Sequence, residues 1–422
     1  MTAVNDRPDI RAEAFRSPES DRWPDVVQVP HVPARAAIAK AIFRRAVQRL
    51  PLRVVETGGR HYGGGAPTDP VMRLQRPESF FARLGATGTI GFGEAYMAGD
   101  WTTEDLTGVL TAFAAHLGEL VPAPLRRFRH LALSRMPAAH DNTVEGARAN
   151  IAHHYDLSNE LFATFLDPSM TYSSALFDGD PAASAEDLQA AQHRKIDRLL
   201  DAAGVRSGST VLEIGTGWGE LSIRAAKRGA QVTSLTISAE QADLARARIE
   251  REGLSERASV LLTDYRESTG SYDAVVSVEM IEAVGAPHWG TYFDTIDTRL
   301  RPGGKACIQA ILQDDETVQN TRETYTWIRK YIFPGGQLAS IPAVERVLGA
   351  TSLRLSETFA FGAHYAETLK RWRASFEEHA AAVARLGFDE IFRRMWSLYL
   401  AYSEAGFASG YLDVAQLTLT KA

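Results

Sequence analysis

The chain predicts an α/β fold, a largely parallel sheet covered by helices, preceded by a smaller and mostly helical N-terminal domain. Three observations carry this. From about residue 209, short apolar runs rich in β-branched residues alternate with helical stretches, as a series of βαβ units requires. The first run ends in a glycine-bearing turn, Gly215-Thr-Gly-Trp-Gly219, which opens an amphipathic helix at Glu220. Between about residues 34 and 136 the apolar residues recur at helical spacing instead.

Taken in order, residues 1–30 read as a flexible leader, poor in periodic hydrophobicity and interrupted by Pro8, Pro18, Pro24 and Pro30. Residues 31–137 form the helical domain. It opens on a basic helix, where Arg35, Lys40, Arg44, Arg45 and Arg49 carry no intervening acid and Ile38, Ile42, Ala46 and Leu50 supply an apolar face. Ile90 to Trp101 mixes glycines with aromatics and reads as a packed turn region. Leu106, Val109, Leu110, Phe113, Leu117, Leu120 and Val121 then share one helical face, ended by Pro122 and Pro124, and a second basic cluster follows at Arg126, Arg127, Arg129 and Arg135. The polar run 138–150 is the linker, and 151–422 is the catalytic domain. Its strand candidates are Thr210–Ile214, Gln231–Ile237, Ser259–Asp264, Ala274–Val278, Lys305–Ile311, Leu353–Phe359 and a closing run, Asp413–Thr420.

Composition narrows the function. Hydrophobic residues at 45% and charged residues at 23% fit a folded globular protein. The single cysteine, Cys307, excludes a disulfide framework and a cysteine-based metal site, and no metal is expected. The N-terminus lacks the apolar stretch of a signal peptide and no run is long enough to span a bilayer, so a cytoplasmic protein is expected. A net charge of −6 argues against nucleic acid as a partner. The two basic faces suit the anionic inner surface of a membrane, and hence a peripheral location.

The turn at 215–219 has the wrong spacing for a dinucleotide fingerprint, because Glu220 stands where the third glycine would be, and no Gly-Lys-Ser/Thr follows to grip a phosphate. Glu213 followed by Gly215, Gly217 and Gly219 instead resembles motif I of the class I S-adenosylmethionine-dependent methyltransferases, with a Rossmann-like fold. Glycines there let the backbone approach the methionine and ribose portion of the ligand, while the acid faces its cationic end. Strand two ends in Leu235-Thr-Ile-Ser-Ala-Glu-Gln241, offering Thr236, Ser238 and Gln241 for the ribose, and strand three ends in Asp264-Tyr265-Arg266, beside the adenine. Polar groups thus stand at three consecutive strand ends, where open α/β sheets bind ligands.

Longer segments point further. Ile90-Gly-Phe-Gly-Glu-Ala-Tyr-Met97, Asn150 to Phe162, Leu166-Asp-Pro-Ser-Met-Thr-Tyr-Ser173, Leu235 to Gln241 and Lys330-Tyr-Ile-Phe-Pro-Gly-Gly336 together resemble the cyclopropane fatty acid synthase family, which includes the mycolic acid methyltransferases. Asp21-Arg-Trp-Pro24, Val278 to Gly285 and Leu398 to Phe407 are most similar to the actinobacterial members that convert oleoyl phospholipid to the 10-methylene precursor of tuberculostearate. The resemblance implies a seven-stranded sheet whose last strand is antiparallel. It implies Tyr155, Tyr172, Ser173, Gly215, Gly217, Trp218, Thr236 and Gln241 at the cofactor, and at the reaction centre Glu282 as the main catalytic carboxylate, the base itself or the holder of an anion that is, with Tyr365 beside it. It also implies a bicarbonate ion as proton acceptor. The chain departs from the family pattern there. Gln309 stands where His is common, Ser174 where Cys is, Ala283 where a second His is, and Glu279 where Gly is usual. Gln309 and Ser174 can still hydrogen-bond a small anion, whereas Glu279 would either repel it or act as the base itself.

The chemistry these residues would run is methyl transfer to an isolated alkene, a poor nucleophile that must be aligned with the sulfonium methyl while water is excluded. Tyr155, Tyr172, Trp218, Phe333 and Tyr365 offer π faces to the resulting carbocation. The expected product is a 10-methylene stearoyl chain; a cyclopropane on the same substrate is the alternative, and a small-molecule N- or O-methyltransferase or a silent lipid-binding protein are the others. With no dinucleotide site, reduction of the methylene group would fall to a separate reductase, and self-association into a homo-oligomer stays open.

Overall fold

The computed structural model describes residues 22–116, 158–322 and 324–422. The larger sheet contains β5 (Thr210–Ile214), β6 (Gln231–Thr236), β7 (Ala258–Leu262), β8 (Tyr272–Val278), β9 (Leu300–Leu312), β10 (Leu353–Ala360) and β11 (Asp413–Lys421), in the order β10-β11-β9-β8-β5-β6-β7. Strands β5 to β9 pair in parallel, and β11 inserts antiparallel between β9 and β10. Each strand expected from β-branched content is present, and the last is the antiparallel one. The strand order reverses beside β5, so the crevice of an open α/β sheet opens at the carboxyl ends of β5 and β8.

The N-terminal unit departs from the helical expectation. Its strands β1 (Arg53–Glu56), β2 (His61–Tyr62), β3 (Val71–Leu74) and β4 (Trp101–Thr102) form a second sheet, ordered β2-β1-β3-β4. At two to four residues each, they are too short to show a period of two. The expected turn region at Ile90–Trp101 is mostly a helix, Thr89–Met97. Its glycines serve close approach: a Cβ on Gly91 would lie 2.0 Å from the Arg83 carbonyl oxygen, and one on Gly93 would lie 2.4 Å from the Trp327 ring.

The basic helix runs Pro33–Val47, but its buried face is offset from the expected one. Phe43 and Val47 face inward, with Phe43 packed edge-on against Phe80 and Phe81 at 5.2 and 5.8 Å, while Ile38 is 61% exposed. The aromatic ring has the most apolar area to bury and sets the rotation. The leader expected over 1–30 ends in structure: Pro24–Val27 is helical, and the buried Arg83 guanidinium donates to the carbonyls of Asp25, Val26 and Gln28 while pairing with Asp100 at 2.9 Å. The expected linker 138–150, the second basic cluster and residues 117–121 of the preceding helical face lie outside the described residues.

One hydrophobic core spans the N-terminal unit and the C-terminal helices, joining Phe43, Phe80 and Trp101 to Phe162, Trp372 and Trp396. The helix Glu390–Ala408 packs on both Thr89–Met97 and Leu106–Ala114, and Arg394 donates to the carbonyls of Tyr96 and Trp101. No helix among the described residues is long and apolar enough to cross a membrane.

Candidate active site

A cavity of about 180 Å³ opens at the carboxyl ends of β5, β6, β7 and β8. Its floor is the turn after β5, where Gly215, Gly217 and Gly219 have φ of +96°, +51° and +90°, a left-handed backbone that side chains resist. Gly217 faces open space, since a Cβ there would meet nothing within 4 Å, so the backbone is bare where a ligand would lie against it. Gly219 caps the following helix and packs on Ala245, shaping the wall without lining the cavity. Glu213 lies beneath, with the Ser222 hydroxyl donating to its carboxylate, and burial pushes its carboxyl up to about 7.

The other walls collect most of the residues expected at the cofactor. Tyr172, Ser173, Trp218, Thr236, Gln241, Asp264, Tyr265 and Arg266 all line the cavity. Ser238 does not; its hydroxyl caps the helix Ala239–Arg251, accepting from the Gln241 amide at 3.3 Å, and so positions Gln241. Asp264 is held by Arg266 through bonds of 2.8 and 2.7 Å, which fixes both at the rim. Tyr155 lies outside the described residues. A cavity with a bare glycine turn, four acidic side chains (Glu213, Glu220, Asp264 and Glu279) and the aromatics Tyr172, Trp218 and Tyr265 fits a cationic, nucleoside-bearing ligand such as S-adenosylmethionine.

The reaction-centre residues gather at one edge of this cavity, around Glu279. One of its carboxylate oxygens accepts from the Ser174 amide at 2.9 Å and the Gln309 side-chain amide at 2.8 Å, and the other accepts from the Tyr365 hydroxyl at 2.6 Å. Glu279 has φ of +49°, the strained left-handed conformation that glycine adopts freely. Its pKa is raised by burial, against which the Lys195 charge and its three donors pull downward. Glu282, three residues on, has one carboxyl oxygen bonded to the Ile311 amide at 2.5 Å; the other is buried with no partner among the described residues. Burial, with the Glu279 charge second, pushes the Glu282 carboxyl up to about 8. Glu282 is thus a protonated acid near neutrality, while Glu279 is surrounded by donors, the arrangement that suits a carboxylate.

This arrangement does not fit the expected bicarbonate. The groups that would hold such an anion, the Ser174 amide, the Gln309 side chain and the Tyr365 hydroxyl, all donate to Glu279, and a second anion there would face its charge at contact distance. Ser174 contributes its backbone, since its hydroxyl donates to the Ala175 carbonyl.

Aromatic rings close the site. Tyr172 packs on Phe162 and Trp372 with centroids 5.1 and 5.3 Å apart, Trp218 on Phe162 at 4.9 Å, Tyr365 on Phe407 at 4.5 Å and Phe333 on Tyr399 at 5.7 Å. The Tyr172 and Tyr399 hydroxyls are 2.7 Å apart. The sequence reading missed Lys195, which lines the cavity and donates to the Ser173 hydroxyl at 2.5 Å. The signal was its position on the buried stripe of the helix Leu188–Ala202, with Ala191, Ile196 and Leu199.

Comparison with known proteins agrees with this geometry. Residues 142–417 match the family model described as mycolic acid cyclopropane synthetase. The tuberculostearic acid methyltransferase UfaA1 of Mycobacterium tuberculosis is 52% identical over 410 residues, 96% of each chain. The cyclopropane-fatty-acyl-phospholipid synthase of Escherichia coli is 31% identical over 379 residues, 88% of this chain and 93% of that one. Among solved structures, mycolic acid cyclopropane synthase CmaA1 complexed with SAH and CTAB is similar with a TM-score of 0.60 and 30% identity, over 65% of this chain and 98% of that one.

Proposed function

Because this chain belongs to the mycolic acid cyclopropane synthetase family, we propose that it adds a one-carbon unit from S-adenosylmethionine to the cis double bond of an oleoyl phospholipid, giving the 10-methylene stearoyl precursor of tuberculostearate. The observation that carries this reading is the Glu279 carboxylate, seated among three hydrogen-bond donors at the edge of the cofactor cavity.

S-adenosylmethionine supplies an electrophilic methyl group on a sulfonium. The glycine turn, Trp218 and Glu213, which line the cavity, are the residues that would hold it. When the alkene π electrons form the new bond to that methyl at C10 and the carbon–sulfur bond breaks, positive charge appears on C9. Tyr172 and Trp218, which line the cavity, would stabilise it by about 1 to 2 kcal/mol each where a ring face meets the desolvated cation. A hydride shift from C10 to C9 moves the charge to C10, and loss of a proton from the added methyl leaves a double bond between C10 and the added carbon. Glu279 takes that proton, held in line by Tyr365 and Gln309. Deprotonation with ring closure before the shift would give a cyclopropane instead.

The acyl chain has to reach this site from a bilayer. Ile38, Val27 and Val29 are large exposed apolar side chains, Arg35 and Arg45 are exposed on the same basic helix as Ile38, and Arg49 is exposed in the turn after it. Apolar side chains beside exposed surface cations suit an anionic phospholipid surface, so the protein works as a peripheral enzyme at the inner membrane face. The methylene product then passes to a separate reductase.

The test is incubation of purified protein with methyl-labelled cofactor and dioleoyl phosphatidylglycerol vesicles, with the added carbon located by mass spectrometry and NMR. A 10-methylene chain is expected. Cyclopropane alone overturns the product assignment, and no lipid product overturns the substrate.

A further inference from the structure

Behind the reaction centre lies a second layer of buried polar side chains. We propose that Gln416 and Lys195 are positioning residues, which keep Glu279 ionised by fixing the direction of the Gln309 amide and by placing one positive charge behind Ser173. The inference rests on Glu279 being the base.

Gln309 on β9 and Gln416 on β11 are direct cross-strand partners, and both are fully buried. A glutamine amide can point either way, and only its neighbours decide which end is the donor. Here the decision starts at Arg198, whose guanidinium has donors and no acceptor. It donates to the Gln416 oxygen at 2.7 Å, is tied to Glu357 at 2.7 Å and lies 3.6 Å over the Phe359 ring. With its oxygen engaged, Gln416 turns its amide nitrogen inward, donating to the Lys195 carbonyl at 3.1 Å and to the Gln309 oxygen at 3.2 Å. Gln309 has therefore spent its acceptor and offers only its amide nitrogen to Glu279, at 2.8 Å. The polarity set at Arg198 is passed through two amides to the carboxylate.

Lys195 acts from the adjacent helix. Its ammonium, wholly buried, donates to the Ser173 hydroxyl, and its charge favours ionised Glu279. The charged and titratable groups facing Glu279 are then Lys195 from the helix Leu188–Ala202, Tyr365 from Gly362–Glu378 and Glu282 from Ile281–Val284, with Asp167 acting on Lys195. Of these, Lys195 carries the positive charge, which opposes the burial that favours protonated Glu279.

The experiment is the pH dependence of kcat for wild type, Gln416→Leu, Gln416→Glu, Lys195→Met and Glu279→Gln, with S-adenosylhomocysteine affinity measured by calorimetry on each. Gln416→Leu and Lys195→Met are expected to move the acid-side midpoint up by about one pH unit. Gln416→Glu, which draws the Gln309 nitrogen away from Glu279, should move it further, and plateau activity should return at high pH. An unmoved midpoint in the Gln416 and Lys195 variants, with Glu279→Gln inactive, overturns this inference and leaves the base intact. An active Glu279→Gln overturns the base reading and this inference with it. If the buried variants do not fold, Arg198→Met at the outer end of the relay supplies the same test, with a smaller upward shift expected and no shift overturning the relay.

Discussion

The Tyr365 hydroxyl donates to Glu279 across 2.6 Å, joining a helix after β10 to the residue directly after β8. The acceptor sits at a position whose φ of +49° suits glycine, so the fold tolerates a strained backbone in order to carry a carboxylate there. Such strain is of order 1 to 3 kcal/mol and persists only where the surroundings over-determine it.

Glu279→Gln is expected to lower turnover by about 10² to 10⁴-fold, the usual span for loss of a general base, while cofactor affinity is kept. Glu279→Gly should relieve the backbone and vacate the three donors. Added bicarbonate is then expected to restore part of the activity in the glycine variant and none in wild type, as measured by initial rates with and without the ion.

The Glu282 carboxyl is held up to about 8 in the folded protein and would titrate near 4.5 once exposed. The native state thus keeps a proton that the unfolded chain releases between these values. Its contribution to stability is full below about pH 4.5 and is lost as pH rises through about 8. Glu282→Gln, which carries no such titration, should gain Tm relative to wild type between pH 5 and pH 8. A parallel pair of Tm curves over that range would contradict the assignment.

Gly217→Val should separate folding from binding. The position has φ of +51° but open space around a Cβ, so backbone strain costs about 1 to 2 kcal/mol with no clash inside the protein. The side chain would project into the cavity, and S-adenosylmethionine affinity is expected to fall by more than about tenfold by calorimetry.

Arg83→Met tests the N-terminal unit. It leaves Asp100 buried without this partner and frees the three carbonyls at Asp25, Val26 and Gln28. A loss of about 3 to 5 kcal/mol in urea denaturation is expected, the range for breaking a buried pair on one side.

Much of the larger sheet was legible because its central strands are buried on both faces and read as short apolar runs, Val211 to Ile214 interrupted by Glu213 and Ala274 to Val278 by Ser277. The cofactor turn was legible because glycine at 215, 217 and 219 has a conformational meaning. The small sheet was not, since a strand such as His61–Tyr62 is shorter than any pattern it could display. Gly91 and Gly93 signalled a turn although each sits in a helix, because closeness to Arg83 and Trp327 is a tertiary fact. Glu279 was noticed as a departure, but its consequence for bicarbonate needed the three donors to be seen on one carboxylate. Lys195 and Gln416 sit on buried faces that mix polar and apolar residues, Gln192 beside Lys195 and Thr418 beside Gln416, and one-dimensional pattern treats such positions as noise.

The helix Glu390–Ala408 has one further consequence for the molecule as a whole. It presents one flank to the helices of the N-terminal unit and another to Gly362–Glu378, so neither half owns the interior it stands in. Excising either half would strip a wall from the other and expose Trp396 and Phe392 to solvent. Melting should accordingly be a single cooperative event, and a graft of the catalytic half from a relative would have to bring its own N-terminal packing along.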